Sequence, residues 1–144
     1  MFLLYFLLWT LILYWVHRIG HHTYIIRRFH WGHHRFINAH ETNWHWNNLF
    51  LFNNNWVSTV DLWITEVIPT IILCYITGTW WLCILYYLWA ALIQEYIEHN
   101  PNIDIPLLTS GKWHRLHHRY HNKNYGLFFP QWDLLFGTYK GVKD

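Results

Sequence analysis

Two short stretches of the sequence carry an unusual concentration of histidine. Six histidines lie between His17 and His34 and four between His114 and His121, and together they make ten of the chain's 13. Both stretches contain the spacing H-x-x-H-H, and His17 and His21 have an i, i+4 relation. On a helix such residues share a face, so their ring nitrogens can converge on a common centre. Clustered imidazoles repel one another when protonated and bind metals when neutral, so the pattern predicts a metal site.

The segments that must position these histidines are apolar. The 144 residues are 53% hydrophobic, 22% aromatic and only 12% charged, which is typical of a membrane protein rather than of a soluble domain of this length. We expect one membrane-embedded domain over residues 1–144. Cys74 and Cys83 lie within apolar sequence and are expected to be small apolar fillers, which argues against a disulfide framework or a cysteine-ligated metal site.

Two apolar tracts predict membrane helices. Residues 2–16 would extend roughly 22 Å as a helix, less than the roughly 30 Å hydrocarbon core, so this span must recruit its flanks. A cleaved signal peptide is the alternative, but the tract lacks a basic start and a small-residue cleavage site. Residues 61–97 are too long for one pass and contain the turn signal Thr77-Gly78-Thr79, which predicts a helical hairpin. Pro69 should kink its first limb, and Glu66 should lie near that limb's polar end.

Charge predicts the topology. All ten Lys and Arg residues lie in 18–35 or 112–143. One crossing followed by the hairpin places every histidine and every basic residue on one side, which the positive-inside bias assigns to the cytosol. Residues 18–60 and 98–144 are therefore expected to be cytosolic, with His99 joining the clusters at the hairpin's end. The predicted fold is an all-α integral membrane bundle, one N-terminal span plus the hairpin, under a cytosolic histidine-rich helical cap.

The connection over residues 35–60 is rich in Asn and Trp and has too little periodicity to assign, but its aromatic content suits a bilayer surface. His40 and His45 fall in this connection, outside both clusters. We expect them to be interfacial or supporting residues rather than ligands.

Several motifs resemble the fatty acid hydroxylase/sterol desaturase superfamily. The stretch HRIGHHTYIIRRFHWGHH resembles its H-R-x-x-H-H … F-H-x-x-H-H signature, Glu98-His99 its E-H element and HRLHH its last histidine box. The tail, with N-Y-G at 124–126 and WDLLFGTY at 132–139, is similar to the family's closing motif. The resemblance runs from about residue 14 to the end of the sequence.

The resemblance implies an integral membrane di-iron oxygenase. Its two irons, which zinc can replace in a purified form, would be held by His17, His21, His30, His33, His34, His99, His114, His117 and His118. His22 and His121 match less constrained positions. The chain has one short helix before the first box, where the family usually has a helical hairpin. How the bundle is closed on that side, and whether a partner in a homo-oligomer covers it, are therefore left open.

The implied reaction uses dioxygen and externally supplied electrons to hydroxylate or desaturate a lipid, with hydroxylation slightly favoured. A fatty acyl chain, a sterol or a carotenoid would fit a membrane-facing apolar chamber equally well. Such an enzyme would reside in the endoplasmic reticulum of a eukaryote or the inner membrane of a bacterium. Among the carboxylates, Glu95 could accept the second N–H of His99, and Asp61 and Asp133 are further candidates whose simpler role is helix capping.

The sequence contains no flavin, haem or nicotinamide motif, so a separate donor must supply the electrons. We expect a b-type cytochrome or a ferredoxin with its reductase, and no nucleic-acid partner. A basic patch beside the last histidine box would either dock this donor or contact lipid headgroups; it comprises Lys112, Arg115, Arg119 and Lys123.

Three other classes of protein fit these features less well. A bis-histidine haem protein needs isolated histidines deep in facing helices, whereas these are clustered at helix ends. A metal transporter is expected to carry polar residues at mid-membrane, and the hairpin has few between Glu66 and Gln94. A non-catalytic membrane protein that keeps zinc is the stronger alternative, because imidazoles bind zinc readily.

Overall fold

The structure is a computed structural model that describes residues 1–40, 43–53 and 55–141. Every regular element within these residues is helical, which confirms the predicted all-α fold. The elements are α1 (Phe2–Gly20), α2 (Tyr24–Ala39), a 3-10 helix (Trp46–Phe50), α3 (Trp56–Leu62), α4 (Ile68–Thr77), α5 (Trp80–Leu88), α6 (Glu95–Ile97), α7 (Lys112–Tyr120) and α8 (Gln131–Leu135).

In the part of the chain that the structure describes, two helices are long and apolar enough to cross a membrane, Phe2–Gly20 and Trp56–Thr77. The second consists of α3 and α4 joined by a π-helical turn at Trp63–Val67. Pro69 lies in the first turn of α4, just after this irregularity. Proline lacks a backbone N–H donor, and the altered hydrogen bonding of the π-helical turn allows the helix to continue past it. The helix starts at Trp56 rather than at the predicted position 61, because Asn55 caps it by accepting a hydrogen bond from Ser58 N at 2.9 Å.

The predicted hairpin turn is confirmed. Gly78 follows α4 with φ +70°, a left-handed conformation that glycine adopts at little cost, and α5 begins at Trp80. The returning limb continues through a second π-helical turn, Trp89–Gln94, into α6. The hairpin therefore brings its polar end, with Glu98 and His99, back to the level at which α3 begins.

The core lies between α1, the two limbs and the C-terminal segment. Trp9 and Leu13 of α1 pack with Leu73 and Leu82 of the hairpin and with Phe128 of the tail, all largely buried. A buried hydrogen bond from Trp9 Nε1 to Thr70 Oγ1 at 2.9 Å fixes α1 against α4. This packing holds the C-terminal end of α1, which carries His17, beside the hairpin.

The connection between α2 and α3 has more structure than its sequence indicated. Helix α2 continues to Ala39, and the 3-10 helix starts where Asn48 Oδ1 accepts a hydrogen bond from His45 N at 2.7 Å. Trp44 Nε1 donates to Ala91 O at 2.8 Å and ties the connection to the returning limb. Residues 41, 42 and 54 of this connection lie outside the described residues.

Candidate metal centre

The nine histidines predicted from the resemblance lie close together, and all but the half-buried His17 are buried. Eight of them form two groups of four, in each of which one ring nitrogen per residue lies within 4.8 Å of the other three. We call His17, His21, His30 and His117 the first tetrad. The second tetrad is His33, His99, His114 and His118.

Each H-x-x-H-H cluster is divided between the two tetrads rather than pointing at a centre of its own. His30 faces the first tetrad and His33 the second, because residues three apart differ by about 60° around a helix. On α7, His117 belongs to the first tetrad and His114 and His118 to the second. Helices α2 and α7 therefore both run across the two groups and hold them side by side.

The Nε2 atoms of the first tetrad converge tightly. His17 Nε2 lies 3.1 Å from His30 Nε2 and 3.0 Å from His117 Nε2, and His21 Nε2 lies 3.2 Å from His117 Nε2. Imidazoles that share one ion at about 2.0–2.1 Å have neighbouring nitrogens roughly 3.0–3.4 Å apart. The observed separations are those of ligands around one metal ion.

Contacts behind the first tetrad fix the orientation of three of its rings. His30 Nδ1 lies 2.9 Å from Asp61 Oδ2, His17 Nδ1 lies 2.9 Å from the Tyr125 carbonyl and His117 Nδ1 lies 2.7 Å from the Lys123 carbonyl. All three partners only accept hydrogen bonds, so each Nδ1 must donate, and a neutral ring then has a bare lone pair on Nε2. The lone pair on His17 Nε2 lies about 3 Å from the Nε2 atoms of both His30 and His117, and such lone pairs repel unless a cation lies between them. The residues present therefore fit a metal ion.

The second tetrad lacks such support. His118 Nε2 and His114 Nε2 are 3.0 Å apart, but His33 Nδ1, His118 Nδ1 and both nitrogens of His99 are buried without a hydrogen-bond partner. Glu98 Oε1 lies 3.8 Å from His114 Nδ1, too far for a hydrogen bond. Glu95 is buried, but it is not the partner predicted for His99. Buried nitrogens of this kind are costly unless a ligand satisfies them, so the second tetrad fits a metal as well.

Burial keeps these rings neutral. Desolvation lowers the pKa of His33 from the ordinary 6.5 to about 4, and the neighbouring His30 contributes to the lowering. The pKa of each ring below is also lowered, chiefly by burial and then by other histidines: His21, His34, His99, His114, His117 and His118. Neutral imidazole is the form that binds metals, so the site is prepared for them at neutral pH.

His34 belongs to neither tetrad but touches both. Its Nε2 lies 2.9 Å from His30 Nε2, and its ring stacks on His118 with centroids 4.1 Å apart. His121 approaches it from outside, with the two Nδ1 atoms 3.1 Å apart. His22 and His40 are exposed and His45 lies at the start of the 3-10 helix, so the structure places all three outside the tetrads.

The C-terminal motif positions one ring of the first tetrad. Asp133 is fully buried and accepts hydrogen bonds from Tyr125 N, Gly126 N and Thr138 Oγ1 at 2.7–2.8 Å. A Cβ atom at Gly126 would lie 2.7 Å from Asp133 Oδ2, so only glycine permits this close approach. Asp133 therefore does not cap a helix, the simpler role expected for it; from within α8 it anchors the turn that holds the Tyr125 carbonyl against His17.

A small cavity of about 40 Å³ borders both tetrads, including His17, His30, His33, His99 and His114. It has room for about three water-sized molecules. Leu13, Leu62 and Leu127 form apolar parts of its wall. Polar parts come from Asp61, Glu66, Gln94 and Glu98.

Glu66 lies near the middle of the Trp56–Thr77 helix rather than near its polar end as predicted, because that helix begins earlier than expected. Its carboxylate accepts hydrogen bonds from Tyr86 Oη at 3.0 Å and Gln94 Nε2 at 3.3 Å. The contact of Asp61 with His30 is one that the sequence indicated only weakly, since Asp61 was a lesser candidate than Glu95 for orienting a histidine ligand. The two backbone carbonyls that orient His17 and His117 leave no signal in a sequence.

Comparison with known proteins agrees with the motifs. The family model described as fatty acid hydroxylase matches residues 2–138. The chain is 30% identical over 131 residues to the Delta(7)-sterol 5(6)-desaturase erg3A of Aspergillus fumigatus, covering 89% of this chain and 34% of that protein. It is 26% identical over 132 residues to human lathosterol oxidase, covering 89% of this chain and 41% of that protein.

The chain thus spans between a third and a half of the length of these relatives. No solved structure matches it. The family match covers nearly all of the chain and includes the histidine stretches, the E-H element and most of the closing motif. The chain belongs to the fatty acid hydroxylase family, a family of membrane lipid oxidoreductases that the sequence motifs had indicated.

Proposed function

We propose that this chain is a membrane-bound di-iron oxidoreductase that uses dioxygen and two externally supplied electrons to hydroxylate or desaturate a lipid. The observation that carries the proposal is the convergence of three Nε2 atoms beside a second histidine tetrad: His17 Nε2 lies 3.1 Å from His30 Nε2 and 3.0 Å from His117 Nε2. The relatives named as sterol desaturases make a sterol the first substrate to test, and desaturation the first outcome.

In this proposal each tetrad holds one iron ion, and His34 lies between them. When bound, the two ions supply the redox chemistry that activates dioxygen toward an unreactive C–H bond. Asp61 and the carbonyls of Tyr125 and Lys123 keep three rings in the tautomer that presents Nε2 to the metal. Leu13, Leu62 and Leu127 exclude bulk water from the small cavity, which admits molecules of the size of water or dioxygen.

Electrons would come from a separate carrier such as a b-type cytochrome or a ferredoxin with its reductase. The carrier must reach the side of the membrane on which the histidines lie. The clustering of all Lys and Arg residues in 18–35 and 112–143 supports a cytosolic location for that side.

The topology has its own test. A single cysteine introduced at the exposed Asn102 of a variant lacking Cys74 and Cys83 should react with a membrane-impermeant maleimide from the cytosolic side only. A cysteine at the exposed Gly78 turn should react from the opposite side only. Reaction of both positions from the same side would contradict the multi-pass arrangement.

The central experiment measures metal and product together. The chain, purified from an iron-supplied host and placed in lipid nanodiscs with sterol, should contain two iron ions per chain and convert the sterol when given reductant and dioxygen. His117→Ala should insert but form no product, whereas His40→Ala, at an exposed histidine outside the tetrads, should retain both properties. A metal-free chain with full activity would refute the proposal, and zinc without any oxidised lipid would favour the non-catalytic alternative.

A further inference from the structure

A groove on the outer side of α2 combines positive charge with aromatic surface. Its volume is about 1000 Å³, and it is lined in part by Tyr24, Arg27, Arg28, Trp31 and Arg35. The three arginines are exposed, and none of them makes a side-chain hydrogen bond or ion pair with any other described residue. Three unpaired guanidinium groups along one groove attract an anionic partner.

The second observation is a continuous series of ring contacts that leads inward from this groove. The half-exposed Trp31 stacks on His121, with centroids 5.0 Å apart and an interplanar angle of 29°. His121 contacts His34, which stacks on His118 of the second tetrad and lies 2.9 Å from His30 of the first. Trp31 is therefore a point at which rings that reach both tetrads come to the surface.

We propose that this groove is the docking site for an acidic one-electron carrier protein, and that Trp31, His121 and His34 are the route by which its electrons reach both tetrads. The inference rests on the proposed function, because only a redox centre needs such a route. In each encounter the carrier would lose one electron, and one ferric ion held by a tetrad would gain it and become ferrous. Two encounters would supply the electron pair for one turnover, and the two accompanying protons would come from hydronium or buffer acid in the solvent.

The groove is a better docking site than the basic patch beside the last histidine box. In that patch Lys112 lies 3.7 Å from Asp104, Arg115 donates to Ile37 O and Lys123 donates to Gly137 O. Arg119 lies over the ring of Tyr120. These side chains already have partners, whereas those of Arg27, Arg28 and Arg35 are free among the described residues. A ring series that reaches both tetrads also emerges at this groove.

The first experiment measures binding without any redox step. The metal-free chain in nanodiscs of neutral lipid is titrated with an acidic soluble b-type cytochrome. The double variant Arg27→Glu/Arg28→Glu should raise the Kd at least tenfold at low salt, whereas Arg119→Glu should change it less than threefold. Binding to the unaltered chain should weaken as salt rises from 0.01 M to 1 M and the Debye length falls from about 30 Å to about 3 Å.

The second experiment measures reduction of the ferric iron-loaded chain by stopped flow, with the reduced cytochrome and with dithionite as separate reductants. Trp31→Leu should lower the ratio of the cytochrome-driven to the dithionite-driven rate at least fivefold under saturating cytochrome. Trp46→Leu, which removes an exposed tryptophan on the 3-10 helix, should leave this ratio unchanged.

The outcomes separate this inference from the proposed function. A chain that binds iron but shows no product with dithionite and dioxygen would fail as an oxygenase, whatever the groove does. Product with dithionite, combined with cytochrome binding that responds to Arg119→Glu rather than to Arg27→Glu/Arg28→Glu, would overturn the docking site. If the double variant instead loses only a preference for phosphatidylserine nanodiscs, the groove is a lipid headgroup site and the inference is wrong.

Discussion

Each tetrad consists of four imidazole rings, but the two differ in the hydrogen-bond partners of the ring nitrogens that face away from the centre. Three rings of the first tetrad have acceptors on Nδ1, namely Asp61 and the carbonyls of Tyr125 and Lys123. In the second tetrad, three rings have buried nitrogens without partners, and Glu98 Oε1 lies 3.8 Å from His114 Nδ1, beyond hydrogen-bond distance. Outer contacts orient ligands and raise their basicity, so we expect the first tetrad to bind its ion more tightly.

This difference leads us to expect that the two tetrads differ in rigidity and in how firmly each retains its metal ion. A ligand set held from outside is rigid before the metal arrives, whereas an unsupported set gains order only from the metal itself. The second tetrad also contains His99, which lies just beyond the end of the returning limb rather than within a helix. The better supported ion would remain during turnover, while the other site would tolerate changes in ligand geometry.

The largest effect is expected from removing one ligand of each tetrad. Both His117→Ala and His33→Ala should lower product formation by more than about 100-fold, the upper range for loss of an outer contact alone. Their metal contents should differ. After dialysis against a weak chelator, His33→Ala should retain about one ion per chain and His117→Ala clearly less, as measured by elemental analysis.

If both variants retain the same metal content, the two tetrads bind metal equally well and the expected difference in affinity is wrong. His40→Ala supplies the matched control, because His40 is exposed and its ring bonds to Phe36 O rather than to either tetrad. It should retain two ions through the same dialysis.

The next effect concerns the carboxylates. Asp61→Asn removes the charged acceptor of His30 and should lower the affinity of the first tetrad for its metal ion by about 10–100-fold. Glu98→Gln, at a carboxylate that makes no hydrogen bond to His114, should change the affinity of the second tetrad less than threefold. Competition with a coloured chelator measures both affinities, and equal losses in the two variants would remove the basis for ranking the tetrads.

The sequence predicted which residues form this site better than it predicted how they are arranged. The nine histidines, the helical hairpin and the family follow from spacing and motif, because helix periodicity and local motifs are written in consecutive residues. The pairing of His30 with His117, and of His33 with His114 and His118, depends on how α2 crosses α7. No local pattern encodes that crossing.

Two further features show the same limit. The carbonyls of Tyr125 and Lys123 act through the backbone, so residue type carries no information about them. The early start of the second span was hidden because Asn55 and Ser58, which cap the helix, look like part of a polar connection. Glu66 was misplaced for the same reason.

A smaller effect should come from the tail that supports the first tetrad. Gly126→Ala would place a methyl group 2.7 Å from Asp133 Oδ2 and disturb the turn that presents the Tyr125 carbonyl to His17. We expect a loss of about 1–3 kcal/mol in the free energy of unfolding, as for other overpacked sites, together with weaker binding in the first tetrad only. Gly141→Ala is the control, because its Cβ would meet no atom closer than 3.5 Å. Thermal unfolding in detergent compares the two, and equal melting temperatures would show that the turn can absorb the methyl group.

The smallest effect tests the burial of the second tetrad through the pH dependence of stability in the metal-free chain. Burial lowers the pKa of His33 to about 4, whereas the unfolded chain should titrate near the ordinary 6.5. Between these values the unfolded state binds a proton that the folded state does not, so the free energy of unfolding must fall as the pH falls from 6.5 toward 4. His33→Asn removes this group and should flatten the dependence by about 1 kcal/mol per pH unit near pH 5. Equilibrium unfolding in mixed micelles measures both slopes, which should coincide between pH 7 and 8, where the ring is neutral in either state. If the slopes were also equal near pH 5, His33 would gain protons as readily in the folded chain as in the unfolded one, and the second tetrad would not be the dry, unsupported site inferred above.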